Sequence, residues 1–178
     1  MAKAKDAPPI SKELLDHLHC HADQLRVRVG AGNEESVDAF EIAKSFDARI
    51  EYFDGLDAKD ISGASIVENG ILKIALNRNQ TPERMNVTLL EEICHYYYRH
   101  QPEKLDAQGR QQFNAKNEQE AKQTAAAILL PAVVVAKTVF QRNSIEDVAS
   151  AYGASVELFM MRVKVLGLWD LFKSEVAA

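Results

Sequence analysis

Apolar and polar positions along the chain alternate in two rhythms. Behind Ser11, a residue that can cap a helix, Leu15, Leu18, Ala22 and Leu25 recur three and four apart and predict a helix through about Val27. Val37, Phe40, Ile42 and Ala43 mark a second helix over about 36–45. The period then falls to two. Residues 49–53 read as a strand, and 65–67 and 71–76 as two more, joined by a Glu68-Asn69-Gly70 turn whose Asn-Gly pair tolerates positive φ. Thr81 and Pro82 open a central helix in which Leu89, Leu90, Ile93, Tyr96 and Tyr97 form one apolar face, ending near His100 before Pro102. Residues 101–115 are polar and read as irregular. A further helix over about 116–130 carries the stripe Ala121, Ala125, Ile128 and Leu129 and stops at Pro131. Residues 145–169 read as helix, Gly153 turn, helix, closing at Gly167. The expected fold is α+β: a mainly helical domain over 11–178 with a small, mainly antiparallel three-stranded sheet and a C-terminal helix-turn-helix-like segment. Residues 1–10 read as a mobile tail.

Composition narrows the function classes. The 178 residues are enough to bury a substantial core. A net charge of −5 argues against general nucleic-acid binding. In the C-terminal segment the second helix offers only Arg162 and Lys164 as basic residues, so direct DNA reading is not expected and packing or partner docking is. No signal peptide is evident, and the longest apolar run, Ala125 to Ala136, is interrupted by Pro131 and falls short of the roughly 18–20 residues that span a bilayer. Two cysteines, Cys20 and Cys94, give no disulfide framework, and the expected location is the cytoplasm.

The chemistry concentrates on the central helix. Glu91 and His95 stand four apart on one side, and Glu92 lies about 100° further round. Two carboxylates and an imidazole on one turn of an apolar helix need either water or a compensating cation. The spacing is that of the His-Glu-x-x-His zinc-protease helix with its first histidine replaced by Glu91. A second group, His17, His19, Cys20 and His21, lies on the first helix; His17, Cys20 and His21 share a side, but no fourth ligand is near in sequence and the expected role is a polar helix face. A di-iron site would need a second Glu-x-x-His helix, which is missing. Cys94 and His95 are helix neighbours and point too far apart to act as a nucleophile–base pair.

Four segments in order, Val37–Ala43, Glu83–Tyr96, Glu118–Pro131 and Val148–Gly167, resemble the ImmA/IrrE family of metallo-endopeptidases, here with a Glu-Glu-x-x-His motif. The resemblance implies a zincin-like domain. By position it makes Glu91, His95 and Glu120 the metal ligands, with Glu118 as the alternative third ligand, and Glu92 the general base. It implies a divalent metal, zinc by family. Metal-bound water would attack a peptide carbonyl while Glu92 takes the proton. It also implies a protein partner that is a transcriptional repressor, in stress response or transcription regulation. Glu91 changes the ligand set to one imidazole and two carboxylates, which shifts preference toward manganese or iron. The same change supports the alternative of a catalytically impaired relative, a binding or sensor module.

Overall fold

A computed structural model describes residues 10–54, 61–100 and 114–176, with side chains to residue 173. Residues 1–9 of the expected tail and 101–113 of the polar stretch lie outside the described residues. The order is α1 (Lys12–Arg28), α2 (Ala39–Lys44), β1 (Arg49–Phe53), β2 (Gly63–Glu68), β3 (Ile71–Asn77), α3 (Pro82–Tyr97), α4 (Ala115–Leu129), α5 (Ala132–Gln141), α6 (Ile145–Ala151), α7 (Val156–Val165) and α8 (Trp169–Val176). Local chemistry sets most of these starts. Ser11, Asp38, Thr81, Asn114, Ser144 and Ser155 each accept a backbone N–H in the first turn of the helix they open. Helix α2 is shorter than its apolar pattern indicates because the cap is supplied by Asp38.

The sheet has the order β1-β3-β2, with β3 in the middle. Strand β2 returns antiparallel to β3 through Asn69 and Gly70, both at positive φ (52 and 78). Strand β1 lies parallel to β3 on the other side, so the small sheet is mixed. Leu72, Ile74 and Leu76 point from β3 into the core, and α3 packs across this face. Gly63 opens β2 where the two layers come closest. A Cβ there would sit 2.6 Å from Thr88 Cγ2 on α3, so only glycine lets β2 lie this close.

Helix α4 packs on α3 from the other side with an almost uniformly buried surface from Ala121 to Leu129. Two helices were not expected. Helix α5 follows Pro131 directly, in a Val-rich stretch whose β-branched residues disfavour helix locally. Its burial of Val134, Val135 and Val139 overrides that preference. Helix α8 follows Gly167. The turn between α6 and α7 rests on α3, where Asn86 Nδ2 donates to the Gly153 carbonyl at 3.0 Å. Among the described residues no single helix is long and apolar enough to cross a membrane.

Two buried guanidinium groups tie the layers together. Arg26 of α1 donates to the carbonyls of Ile128 in α4 and of Gly32 and Glu35 in the following loop. Arg162 of α7 donates through Nε to the Leu130 carbonyl at 3.2 Å, and its Nη2 lies 3.0 Å from His19 Nε2. Burial pulls the Arg162 pKa down to about 10. Removing the Arg26 head strands three carbonyls, each at about 1–3 kcal/mol when left buried and unbonded. Arg26→Met is therefore expected to lower the free energy of unfolding by about 3 kcal/mol or more, read by urea denaturation; a change within 0.5 kcal/mol, typical of surface sites, would contradict this.

Candidate functional site

Helix α3 buries Val87, Thr88, Leu89, Leu90, Ile93 and Cys94 and leaves Glu91, Glu92 and His95 partly exposed between β2 and α4. The first link runs to the sheet. Ser65 Oγ donates to Glu92 Oε2 at 2.6 Å. Ser65 pairs with Ile74 in the ladder, so it points to the α3 side two residues after Gly63 brings β2 down on Thr88. Glu91 turns along its own helix instead. Its Oε2 lies 4.0 Å from Nη2 of Arg84, seven residues earlier and two turns away. His95 Nε2 lies 3.3 Å from Glu118 Oε1 on the first turn of α4.

The end of α3 adds a residue that sequence reasoning did not place in the site. Tyr98 closes the helix and Arg99 takes left-handed backbone, φ 57. The amides of Arg99 and His100 then bond the carbonyls of Tyr96 and His95, each at 3.0 Å, which is a Schellman closure. It folds His100 back over the last turn. His100 Nδ1 lies 3.0 Å from His95 Nδ1, and His100 Nε2 lies 3.3 Å from Glu120 Oε2. The Tyr98 ring stacks on His100 with centroids 5.4 Å apart, and its hydroxyl is 2.7 Å from Thr124 Oγ1 on α4. Ser65 and His100 lie 27 and 8 residues from Glu92, and only the hairpin and the Schellman turn bring them there. A histidine just past a helix end, two residues after the C-cap, was the one available signal for His100.

Burial dominates the electrostatics. It raises the pKa of Glu91, opposed by the charges of Arg84 and Lys122. It raises that of Glu92, opposed by the Ser65 hydrogen bond and reinforced by Glu91. It lowers His95 to about 4, with His100 adding to the effect. Cys94 is fully buried, and burial followed by the charge of Glu91 pushes its thiol far up, so it packs as a small apolar side chain.

The positions expected to share one metal ion are thus spread over separate contacts: Glu91 on Arg84, His95 on Glu118 and His100, and Glu120 on His100 and Lys116. Among the described residues no three His, Cys, Asp or Glu side chains are placed to hold one ion. The set Glu91, His95 and Glu120 does not fit a metal in this arrangement. The carboxylate facing His95 is Glu118, while Glu120 faces His100. The N-terminal histidines also separate. His17 and His21 are in ring contact, with centroids 4.1 Å apart, and His21 packs on Tyr97 and Tyr98. His19 faces Arg162, and Cys20 is exposed.

A Glu-Glu-x-x-His helix beneath a small mixed sheet, with a second helix presenting a carboxylate to its histidine, defines a metallopeptidase-like domain. The family model Peptidase_M78, described as the IrrE N-terminal-like domain, matches residues 43–164, and the chain belongs to that family. No curated protein matches the chain. The family is one of metallopeptidases, whose chemistry calls for a divalent metal.

The raised pKa of Glu92 sets a sign for pH dependence. Its folded-state pKa lies above the ordinary 4.5, so the stability it contributes is present below 4.5 and is lost as pH rises through the folded value. Glu92→Gln removes that loss while keeping an acceptor for Ser65. The stability of the variant relative to the parent is expected to grow from pH 4.5 to pH 7, by about 1.4 kcal/mol per unit of elevation. Urea denaturation across this range reads it, and a difference flat with pH would refute the burial effect.

Proposed function

We propose that this chain uses the metallopeptidase scaffold as a recognition module for a protein partner, with hydrolysis impaired at position 91. The observation that carries the reading is the Glu91–Arg84 pair. Where the family resemblance calls for an imidazole ligand, this chain has a carboxylate 4.0 Å from a guanidinium on its own helix. The charges of Arg84 and Lys122 oppose, without outweighing, the rise that burial gives the Glu91 pKa.

The recognition surface is the open edge of β2 beside α3. Strand β2 is an edge strand, bonded only to β3 among the described strands. Its Ile66 and Val67 are exposed, at 64% and 52%. An extended segment added along this edge satisfies its backbone groups in the ladder and runs past Ser65 and Glu92. The partner class that the family resemblance supports is a transcriptional regulator in the cytoplasm, with DNA contacted by the partner and not by this chain. The acidic start of α6, Glu146 and Asp147, and Glu157 at the start of α7 accord with that.

A second reading, an active endopeptidase with Glu92 as base, is favoured by one observation. Ser65 fixes the Glu92 carboxyl and burial raises its pKa toward neutrality, which suits a general base. The two readings separate in one assay, hydrolysis of a fluorogenic peptide library with added zinc or manganese. The parent chain is expected to give no turnover above buffer, and Glu91→His, which restores the second imidazole, at least tenfold more than the parent. Turnover by the parent that Glu92→Gln abolishes would establish the endopeptidase reading and reject the impaired one.

A further inference from the structure

Arg162 on α7 is wholly buried, and its charge has few partners. Its Nε donates to the Leu130 carbonyl, its Nη2 lies 3.0 Å from Nε2 of His19 on α1, and its Nη1 has no partner among the described residues. Burial alone pulls its pKa down, and no carboxylate charge among the described residues holds it up. A guanidinium only donates. The His19 nitrogen that faces it is therefore the bare one, and the proton of the neutral ring sits on Nδ1.

Protonation of His19 removes that acceptor. It sets two cations against each other and leaves both terminal guanidinium nitrogens buried without a partner, which the interior tolerates poorly. The charges acting on His19 are Arg162 from α7, and Asp23 and Asp16 from its own helix. Helices α4 and α2, which also pack against α1, supply none among the described residues. Burial and then Arg162 hold the imidazole below its ordinary 6.5, against the two aspartates. His19 is half-buried and can turn to solvent, whereas Arg162 reaches water only if α7 moves. Helix α1 is held on α4 separately by Arg26, whose carbonyl acceptors do not titrate. Helix α7 is thus the element that gives.

We propose that His19 and Arg162 form a proton-operated latch between α1 and α7: neutral His19 holds the buried guanidinium in its seat, and protonated His19 releases it and loosens α7. The Gly153 turn stays tied to α3 through Asn86, so the motion pivots there. The latch uses none of the residues on which the reading of position 91 stands, and holds whether or not hydrolysis is impaired.

The test is hydrogen exchange of the full chain at pH 7.5 and pH 5.5, corrected for intrinsic rates, on the parent and on His19→Gln, whose side-chain carbonyl accepts from Arg162 without titrating. The folded pKa of His19 lies below 6.5, so the latch is complete above that value and is lost as pH falls through the folded one. Opening of α7 in the parent is expected to rise by up to about tenfold at pH 5.5, one unit below the free imidazole, and by less than about twofold in His19→Gln. The difference between the two chains removes the titration of every other group. Long-range nitrogen–proton spectra of the parent at pH 7.5, with His19→Gln identifying the ring, are expected to show His19 protonated on Nδ1 and bare on Nε2; they need no folded variant beyond that assignment. Exchange of α7 that is flat with pH, or that rises equally in His19→Gln, would overturn the proposal, as would a proton on His19 Nε2 at pH 7.5.

Discussion

An ionisable side chain cannot be buried without a partner at tolerable cost, and α3 carries three of them on one turn. That constraint shapes everything around the helix. Glu92 takes a hydroxyl from the sheet, Glu91 takes a guanidinium from its own helix, and His95 takes a carboxylate from α4 and a second imidazole from the helix end. Each partner comes from a different element. Two of these contacts, Ser65–Glu92 and Glu118–His95, link α3 to β2 and to α4 beside its apolar packing.

The replacement at position 91 shows how one residue redirects such a network. A histidine there would leave Arg84 without its acidic neighbour and would add a second imidazole one turn before His95. A glutamate instead makes an i, i+7 link along the helix and leaves His95 to His100. The metallopeptidase scaffold persists because its apolar packing is indifferent to the change. Leu89, Leu90 and Ile93 are fully buried in that packing.

Most of the architecture was legible because it is local. Caps at Ser11 and Thr81, the Asn69-Gly70 hairpin and the breaks at Pro131, Gly153 and Gly167 each act within a few residues. Helix α5 was not legible, since its β-branched residues become helical only through packing that spacing does not report. The parallel pairing of β1 with β3 depends on which side of the hairpin the earlier strand joins, and that is a tertiary choice. In the site, Glu91, Glu92 and His95 could be placed on one helix turn from spacing alone. Their partners could not, since Ser65 arrives through the sheet and His100 through a left-handed turn at Arg99. Whether Glu118 or Glu120 faces His95 is decided by the rotation of α4, a matter of about 200° between the two positions at 100° per residue.

The clamp made by Arg26 also dictates an order of events. Its farthest acceptor, the Ile128 carbonyl, lies 102 residues downstream. A nascent chain can form the β2–β3 hairpin and wind α3 as soon as they leave the ribosome, and Arg26 can reach the nearby Gly32 and Glu35 carbonyls early, but its Ile128 acceptor does not exist until α4 has been made. Contacts of such long sequence separation form late and slowly. Helix α1, made well before α4, thus completes its clamp only after most of the described elements exist.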